Sequence, residues 1–330
     1  MHSDPKRGLL LIDKDPGSSS FHVIAGLRRL LGMKKIGHAG TLDPFASGLL
    51  IVAFGKATTL LTDLLGLDKV YRVTIRLGEQ TDSADVEGRC IQKVAIKPDD
   101  FSSEALQRAA AKLVGQQEQM PPMYSALKVD GKRLYEYARE GKKVARKARR
   151  IDVYQARYVS SVALSSVVDV DLELAVSSGT YVRTLAEQFG ESLGVPAHAQ
   201  ALRRIAIGPY HVDDAHRLEP WYSRFNEMNR DSERFYQSLL AAGDVISLRQ
   251  GYGELPVFSL TADEAKKAIN GQTITVAASR FLSSVTTGTR IWLDYNGRDV
   301  ALGLVSSWED QVEIKVVKVW CQYADLCEFA

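Results

Sequence analysis

Residues 37–48 read Gly-His-Ala-Gly-Thr-Leu-Asp-Pro-Phe-Ala-Ser-Gly, and the chain continues through Leu49-Leu50-Ile51-Val52-Ala53-Phe54. An unbroken apolar run of that length, bounded by glycines, predicts a fully buried strand. The fold must therefore hold a sheet with a sizeable core, and a chain of 330 residues that is 45% hydrophobic can supply one. The loop feeding this strand is equally constrained. Its glycines permit positive φ and close approach of another backbone or a ligand. Pro44 pushes Asp43 out of helical dihedrals toward an extended conformation. Asp43 thus stands at a stiff corner between apolar neighbours, with no basic residue beside it in sequence. A surface turn tolerates Asp-Pro-x-x-x-Gly equally well. The length of this loop, His38 five positions before the acid, and the core strand it enters favour a functional site, because reactive groups concentrate on loops held by rigid strands.

Formal net charge is +2, which selects no partner, but its distribution is uneven. Between Lys128 and Arg150 stand ten basic residues (Lys128, Lys132, Arg133, Arg139, Lys142, Lys143, Arg146, Lys147, Arg149, Arg150) against three acids. Such a run is either a solvated face or a phosphate-contacting arm. Tyr124, Tyr135 and Tyr137, interleaved with it, favour the arm. The cysteines are Cys90, Cys321 and Cys327, with no Cys-x-x-Cys, and the six histidines are scattered. No metal site is expected, and unpaired thiols suit a reducing cytoplasm. The polar N-terminus and the short run Leu9-Leu10-Leu11-Ile12 predict neither a signal core nor a membrane span.

Along the chain, residues 8–12 read as a buried strand. Capping serines at 18–20 then open a helix in which Phe21, Ile24, Leu27, Leu30 and Leu31 recur at helical spacing, and Gly32 stops it. Gly55-Lys56-Ala57-Thr58 has the look of a phosphate-binding loop, but Leu50 stands where its first glycine belongs and Ala57 follows the lysine. Thr58 or Thr59 is expected to open a helix over residues 60–65. Residues 69–78 alternate, with Tyr71, Val73, Ile75 and Leu77 on one face and Arg72, Thr74 and Arg76 on the other. By this alternation Tyr71 is a core tyrosine. Residues 79–82 read as a polar turn. An amphipathic helix over 102–113, a hairpin turn at Asp130-Gly131, and paired strands over 151–158 and 167–176 follow. Residues 177–183 pass from strand to a helix running to Leu193, and 201–207 is a last strand. Arg183 is either a solvated helix-start arginine or the partner of a desolvated aspartate, whose carboxylate a nearby cation would keep ionised. Residues 209–244 read as connecting helices. A boundary near 245 leads to a small β-rich unit with a capping box at Thr261-Ala262-Asp263-Glu264, a hairpin at Asn296-Gly297 and a final strand over 312–320. No Gly-x-Gly-x-x-Gly and no metal-ligand cluster occur, so no cofactor is expected.

Gly-His-x-Gly-Thr-Leu-Asp-Pro-x-x-x-Gly-x-Leu resembles the catalytic motif of the TruB-type pseudouridine synthases, the tRNA pseudouridine-55 enzymes. The likeness extends over residues 8–210. Pro-Pro-Met-Tyr-Ser-Ala-Leu-Lys-x-x-Gly-Lys-x-Leu-Tyr-Glu-Tyr-Ala-Arg-x-Gly is similar to the RNA-gripping insertion of the bacterial-type tRNA enzymes, whereas guide-RNA-dependent relatives differ there. Gly-Thr-Tyr-x-Arg and Tyr-Arg-Val complete it. The resemblance implies an α+β fold: a mixed, mainly antiparallel sheet with flanking helices over residues 1–244, with the insertion at about 120–150, and a PUA-like RNA-binding β-barrel over 245–330. A structural cap without RNA contact is the alternative for that second unit. The implied activity is isomerisation of uridine to pseudouridine in tRNA, at U55 of the T-arm.

By the same resemblance Asp43 would be the catalytic aspartate, as nucleophile or as base. His38 would help evert the uridine. Tyr71, Tyr181 and Leu202 would enclose the uracil, and Arg183 would meet Asp43. Lys14, Lys128, Lys132, Arg133, Lys142, Lys143, Arg146 and Lys147 would contact the RNA backbone. A monomer needing no protein partner is expected, acting on tRNA in the cytoplasm. Other classes remain: a guide-RNA-dependent rRNA synthase, a tRNA-binding chaperone without catalysis, and a hydrolytic glycosidase, which ordinarily needs a second acid.

Overall fold

The computed structural model describes residues 6–97, 100–125, 127–129, 131–142, 144–281 and 285–321. The chain divides into two compact units, one up to Val245 and one from Ile246 on. The first is built on a nine-stranded sheet. Its strands are β1 (Gly8–Lys14), β2 (Ile36–His38), β3 (Ser47–Phe54), β4 (Lys69–Leu77), β5 (Gly115–Gln119), β6 (Arg149–Leu164), β7 (Val167–Val176), β8 (Ala197–Ile207) and β9 (Tyr210–His211). Across the sheet the order is β1-β3-β8-β4-β7-β6-β5, with β2 on β3 and β9 on β8. All these pairings are antiparallel except β3 with β8, which run parallel over Arg203↔Ser47 and Arg204↔Gly48. The architecture is therefore α+β with a mixed, mainly antiparallel sheet.

Sequence period explains which face is covered. β4 alternates, burying Tyr71, Val73, Ile75 and Leu77. Those residues join a core with the helices Ser103–Ala111 and Val182–Ser192. The other face carries cross-strand polar pairs, Arg76 with Asp169 at 2.8 Å and Thr74 with Asp171 at 2.6 Å. β3 is different: every residue from Gly48 to Phe54 is buried, as its unbroken apolar run requires. Leu50, Val52 and Phe54 pack against the helices Ser20–Leu31, Leu218–Glu227 and Ser232–Ala242.

Local departures from the sequence reading have physical causes. Residues 55–60 form a 3-10 turn before the helix Leu61–Gly66, and neither threonine caps it: Thr58 and Thr59 hydroxyls bond back to the carbonyls of Gly55 and Lys56. Glu79–Thr81 is a strand paired with Cys90–Lys93, not a turn, because the chain doubles back on itself there. In the second unit Val257–Ser259, Ile274–Ala277, Arg290–Tyr295, Arg298–Trp308 and Gln311–Val319 form a five-stranded sheet. The helix Ala262–Ile269 opens on the Thr261–Glu264 capping box and buries Ala265 and Ala268 in that unit's core. Among the described residues its two edge strands do not pair, so the PUA-like unit is a half-barrel rather than a closed barrel. Among them, too, no helix is long and apolar enough to cross a membrane.

Candidate active site

The loop ahead of β3 is fastened from several sides. Ser20, in the first turn of the helix Ser20–Leu31, donates to the Leu42 carbonyl (3.1 Å) and accepts from the Leu42 N–H (2.9 Å). The buried Arg204 guanidinium donates from Nε to the Leu49 carbonyl (2.7 Å) and from Nη2 to the Gly40 carbonyl (3.0 Å). These ties hold Asp43 at the corner that Pro44 stiffens.

Arg183, in the first turn of the helix Val182–Ser192, organises what faces Asp43. Its Nε lies 3.0 Å from Asp43 Oδ2. Its Nη1 donates to Asp85 Oδ2 (3.0 Å) and the Ser83 carbonyl (2.9 Å), and its Nη2 donates to the Tyr124 carbonyl (2.6 Å). The solvated-arginine reading is thus wrong; Arg183 is buried and bridges two carboxylates. Asp85 is itself buried and accepts from the Ser83 hydroxyl (2.6 Å) and the Glu87 N–H (3.1 Å). Between Ser83 and Asp85, Ala84 adopts φ 61°, a conformation costly for a non-glycine residue. Backbone bonds on both sides hold it there, Ala84 N–H to the Thr81 carbonyl (3.2 Å) and Ala199 N–H to the Ala84 carbonyl (3.0 Å). Asp43 differs from Asp85 in access: its side chain is 36% exposed. Burial pushes the Asp43 carboxyl above its ordinary range and Asp85 adds to the rise, while Arg183 and Lys14 pull it back.

Lys14 requires a correction. It is 1% exposed, and its ammonium donates to the carbonyls of Asp15 (3.0 Å), Ser18 and Pro44 (3.2 Å). Burial pulls it down to about 8, against the opposing charges of Asp43, Glu87 and Asp15. A lysine so enclosed is a strut under the Asp43 loop, not a phosphate contact.

Two cavities meet at Asp43. The smaller, about 290 Å³, is lined by Tyr71, Tyr181 and Leu202 together with Asp43 and Arg183. The larger, about 1140 Å³, includes His38, Asp82, Asp85 and Arg89. The sequence-predicted Tyr71, Tyr181, Arg183 and Leu202 thus converge on Asp43 from β4, from the turn before a helix, from that helix and from β8. His38, at the end of β2, lines the larger cavity. Burial, aided by the Arg204 charge, pushes its imidazole below the ordinary range, so it enters the cavity neutral near pH 7. Tyr181 is set by Gln119: the Tyr181 N–H donates to Gln119 Oε1 (2.7 Å), and Gln119 Nε2 donates back to the Tyr181 carbonyl (3.0 Å).

The basic insertion is described in part. Lys128–Val129 pairs with Lys132–Arg133 as a hairpin. The side chains of Lys128 and Arg133 and the whole of Lys143 lie outside the described residues. Lys132 pairs with Glu140 and sits 4.8 Å from the Tyr137 ring centre. Lys142 lies 3.2 Å from the same Glu140. Arg146 donates to the Pro121 carbonyl (2.8 Å), and Lys147 is exposed. Asp85, Arg204 and Gln119 escaped the sequence reading. Asp85 stood just past what looked like a polar turn, in a stretch given no element, Arg204 looked like one of two strand arginines, and Gln119 was hidden in the run Gly115-Gln116-Gln117-Glu118-Gln119.

The family model for the TruB family pseudouridylate synthase N-terminal domain covers residues 28–182, and that for the tRNA pseudouridylate synthase B C-terminal domain covers 183–242. The chain belongs to the TruB family of pseudouridylate synthases. The tRNA pseudouridine synthase B of Chromohalobacter salexigens is 40% identical over 92% of this chain and 92% of its own. That of Ralstonia pickettii is 42% identical over 80% of this chain and 79% of its own. Among solved structures, a chain of a Cbf5-Nop10-Gar1 complex superposes with TM-score 0.66 at 23% identity, covering 97% of this chain and 86% of that one, a likeness of fold.

Proposed function

We propose that this protein isomerises uridine to pseudouridine in tRNA, at U55 of the T-arm. The observation that carries the reading is the Arg183–Asp43 pair, 3.0 Å apart, at the meeting of an aromatic-walled cavity and a larger one. The reaction breaks the C1′–N1 bond, turns the uracil, and joins C5 to C1′. The proton lost from C5 is matched by one gained at N1, so no redox partner enters. Asp43 is the catalytic group, attacking C1′ or taking a proton from C2′. Arg183 keeps its carboxylate oriented and charged. Tyr71, Tyr181 and Leu202 hold the detached uracil in the smaller cavity. Extruding a nucleotide costs roughly a few kcal/mol, and a neutral His38 filling the vacated stack offsets part of it. RNA loops are recognised by shape and exposed bases; Lys142 and Lys147 supply phosphate contacts from the insertion. Residues 1–244 form the catalytic domain, and 245–330 a PUA-like RNA-binding domain. The enzyme works as a monomer in the cytoplasm, without a cofactor, a guide RNA or a protein partner.

The test is pseudouridine mapping on an unmodified tRNA transcript treated with the purified protein alone. Conversion at U55 is expected, and Asp43→Ala and Asp43→Asn should bind the transcript yet convert none of it. Full turnover by Asp43→Ala would refute the assignment. Conversion only on addition of a guide RNA would favour the rRNA-modifying alternative, and free uracil as product would favour a glycosidase.

A further inference from the structure

Thr41, Leu42, Asp43, Ser125 and Arg183 line both cavities. Asp43 and Arg183 satisfy each other across this shared wall. Ser125 does not fit that pattern. It is 5% exposed, and its Oγ has no hydrogen-bond partner among the described residues. Buried hydroxyls are nearly always paired, and leaving one unpaired costs stability. Its backbone is nonetheless held in place. The Ser125 N–H donates to the Met123 carbonyl (3.0 Å), and the preceding carbonyl, that of Tyr124, accepts from Arg183 Nη2. The guanidinium that orients Asp43 therefore also sets where the Ser125 hydroxyl stands.

We propose that Ser125 binds the ribose of the everted uridine, its Oγ hydrogen-bonding the 2′-hydroxyl. This rests on the reading that Asp43 acts on that nucleotide. Either chemistry open to Asp43 is at the sugar, at C1′ or at C2′, so the sugar must lie against the wall where Asp43 stands. With the uracil among Tyr71, Tyr181 and Leu202, the sugar occupies the junction of the two cavities, which Ser125 also lines. The 2′-hydroxyl is bonded to C2′, next to the reacting carbon, and can donate and accept, as a serine hydroxyl can. Ser125 would thus make the site read RNA rather than DNA at the target position, and would hold the sugar while the uracil is detached.

Fluorescence anisotropy with T-arm stem-loops carrying either uridine or 2′-deoxyuridine at the target tests this, using the full chain with Asp43→Asn to prevent turnover. With Ser125 present, the deoxy target should bind about five- to tenfold more weakly, the range expected for one buried hydrogen bond. With Ser125→Ala added, the two stem-loops should bind within about twofold of each other. Ser125→Ala on its own should melt no lower than the parent chain, since it removes an unpartnered buried hydroxyl. An equal deoxy penalty with and without Ser125 overturns the proposal, and so does a markedly lower melting temperature, which would make the hydroxyl structural. Absence of pseudouridine from the unsubstituted chain, or failure of either stem-loop to bind, would instead bring down the functional reading itself.

Discussion

Arg183 shares one guanidinium between two carboxylates of unequal access. Asp85 has both oxygens engaged, by Ser83, the Glu87 N–H and Arg183, while Asp43 stays partly open to the cavity. Removing the arginine would leave two acids without compensation, and breaking a buried pair in this way costs about 3–5 kcal/mol. Arg183→Lys should lose most of that as well, because one ammonium cannot reproduce donation along Nε, Nη1 and Nη2. The pH dependence follows from the charges. With Asp43 as the catalytic carboxylate proposed above, and its pKa above the ordinary range in the free protein, the acid limb of kcat/KM should fall at a higher pH than a solvated aspartate would give. Asp85 helps raise that pKa. Asp85→Asn removes a negative neighbour and leaves more of Arg183 to Asp43, so the limb should move toward lower pH. The amide also turns a donor toward Arg183 Nη1, so the absolute rate should drop. The measurement is therefore the full pH profile of kcat/KM for both proteins, and a limb that stays put or moves upward would contradict this account.

At the scale of elements, the site exists because β3 and β8 run parallel where the Asp43 loop ends. Their approach is close: a Cβ on Gly48 would lie 2.3 Å from the Arg204 carbonyl oxygen, and Gly48 has φ 99°. Gly48→Ala should therefore cost more than about 2 kcal/mol in urea unfolding and depress kcat by shifting the loop; unchanged stability would mean that the strands can part without penalty. Neither effect was visible in the sequence, which showed only a glycine before an apolar run. What was legible had a local cause. β4 could be read from its alternation because one face packs on helices and the other carries ion pairs. The helix Ser20–Leu31 could be read from its capping serine and its spacing. Pairings made at long range were not legible. Asp85 is buried because residues 84–86 bond with Ala199, more than a hundred positions away. Lys14, expected on the RNA backbone, is enclosed instead because its ammonium donates to the Pro44 carbonyl, 30 positions away. Asp43, Tyr71, Tyr181, Arg183 and Leu202 were grouped through motif resemblance, since no periodicity relates residues on four separate segments.

For the molecule as a whole, a net charge of +2 gives little general attraction to RNA, so phosphate binding must come from local clusters. The insertion is the strongest cluster by count, yet the structure divides its cations by availability. Glu140 holds Lys132 and Arg146 is engaged with the Pro121 carbonyl, while Lys142 meets Glu140 only at the surface and stays largely exposed. Counting charges therefore overstates the footprint, and two substitutions should act in opposite directions. Lys142→Ala with Lys147→Ala removes exposed cations without loosening Arg146. Binding should weaken, and the slope of log K against log salt should become shallower by roughly 0.7–0.9 for each phosphate that is no longer neutralised. Glu140→Gln should do the reverse, freeing Lys132 and Lys142 to release counterions and steepening the slope. Because none of these residues lines either cavity at Asp43, kcat at saturating tRNA should hold in both variants while KM moves. Titrations at several salt concentrations distinguish the cases. Slopes unchanged in both variants would remove the insertion from the RNA footprint and leave the half-barrel unit as the place to look for it.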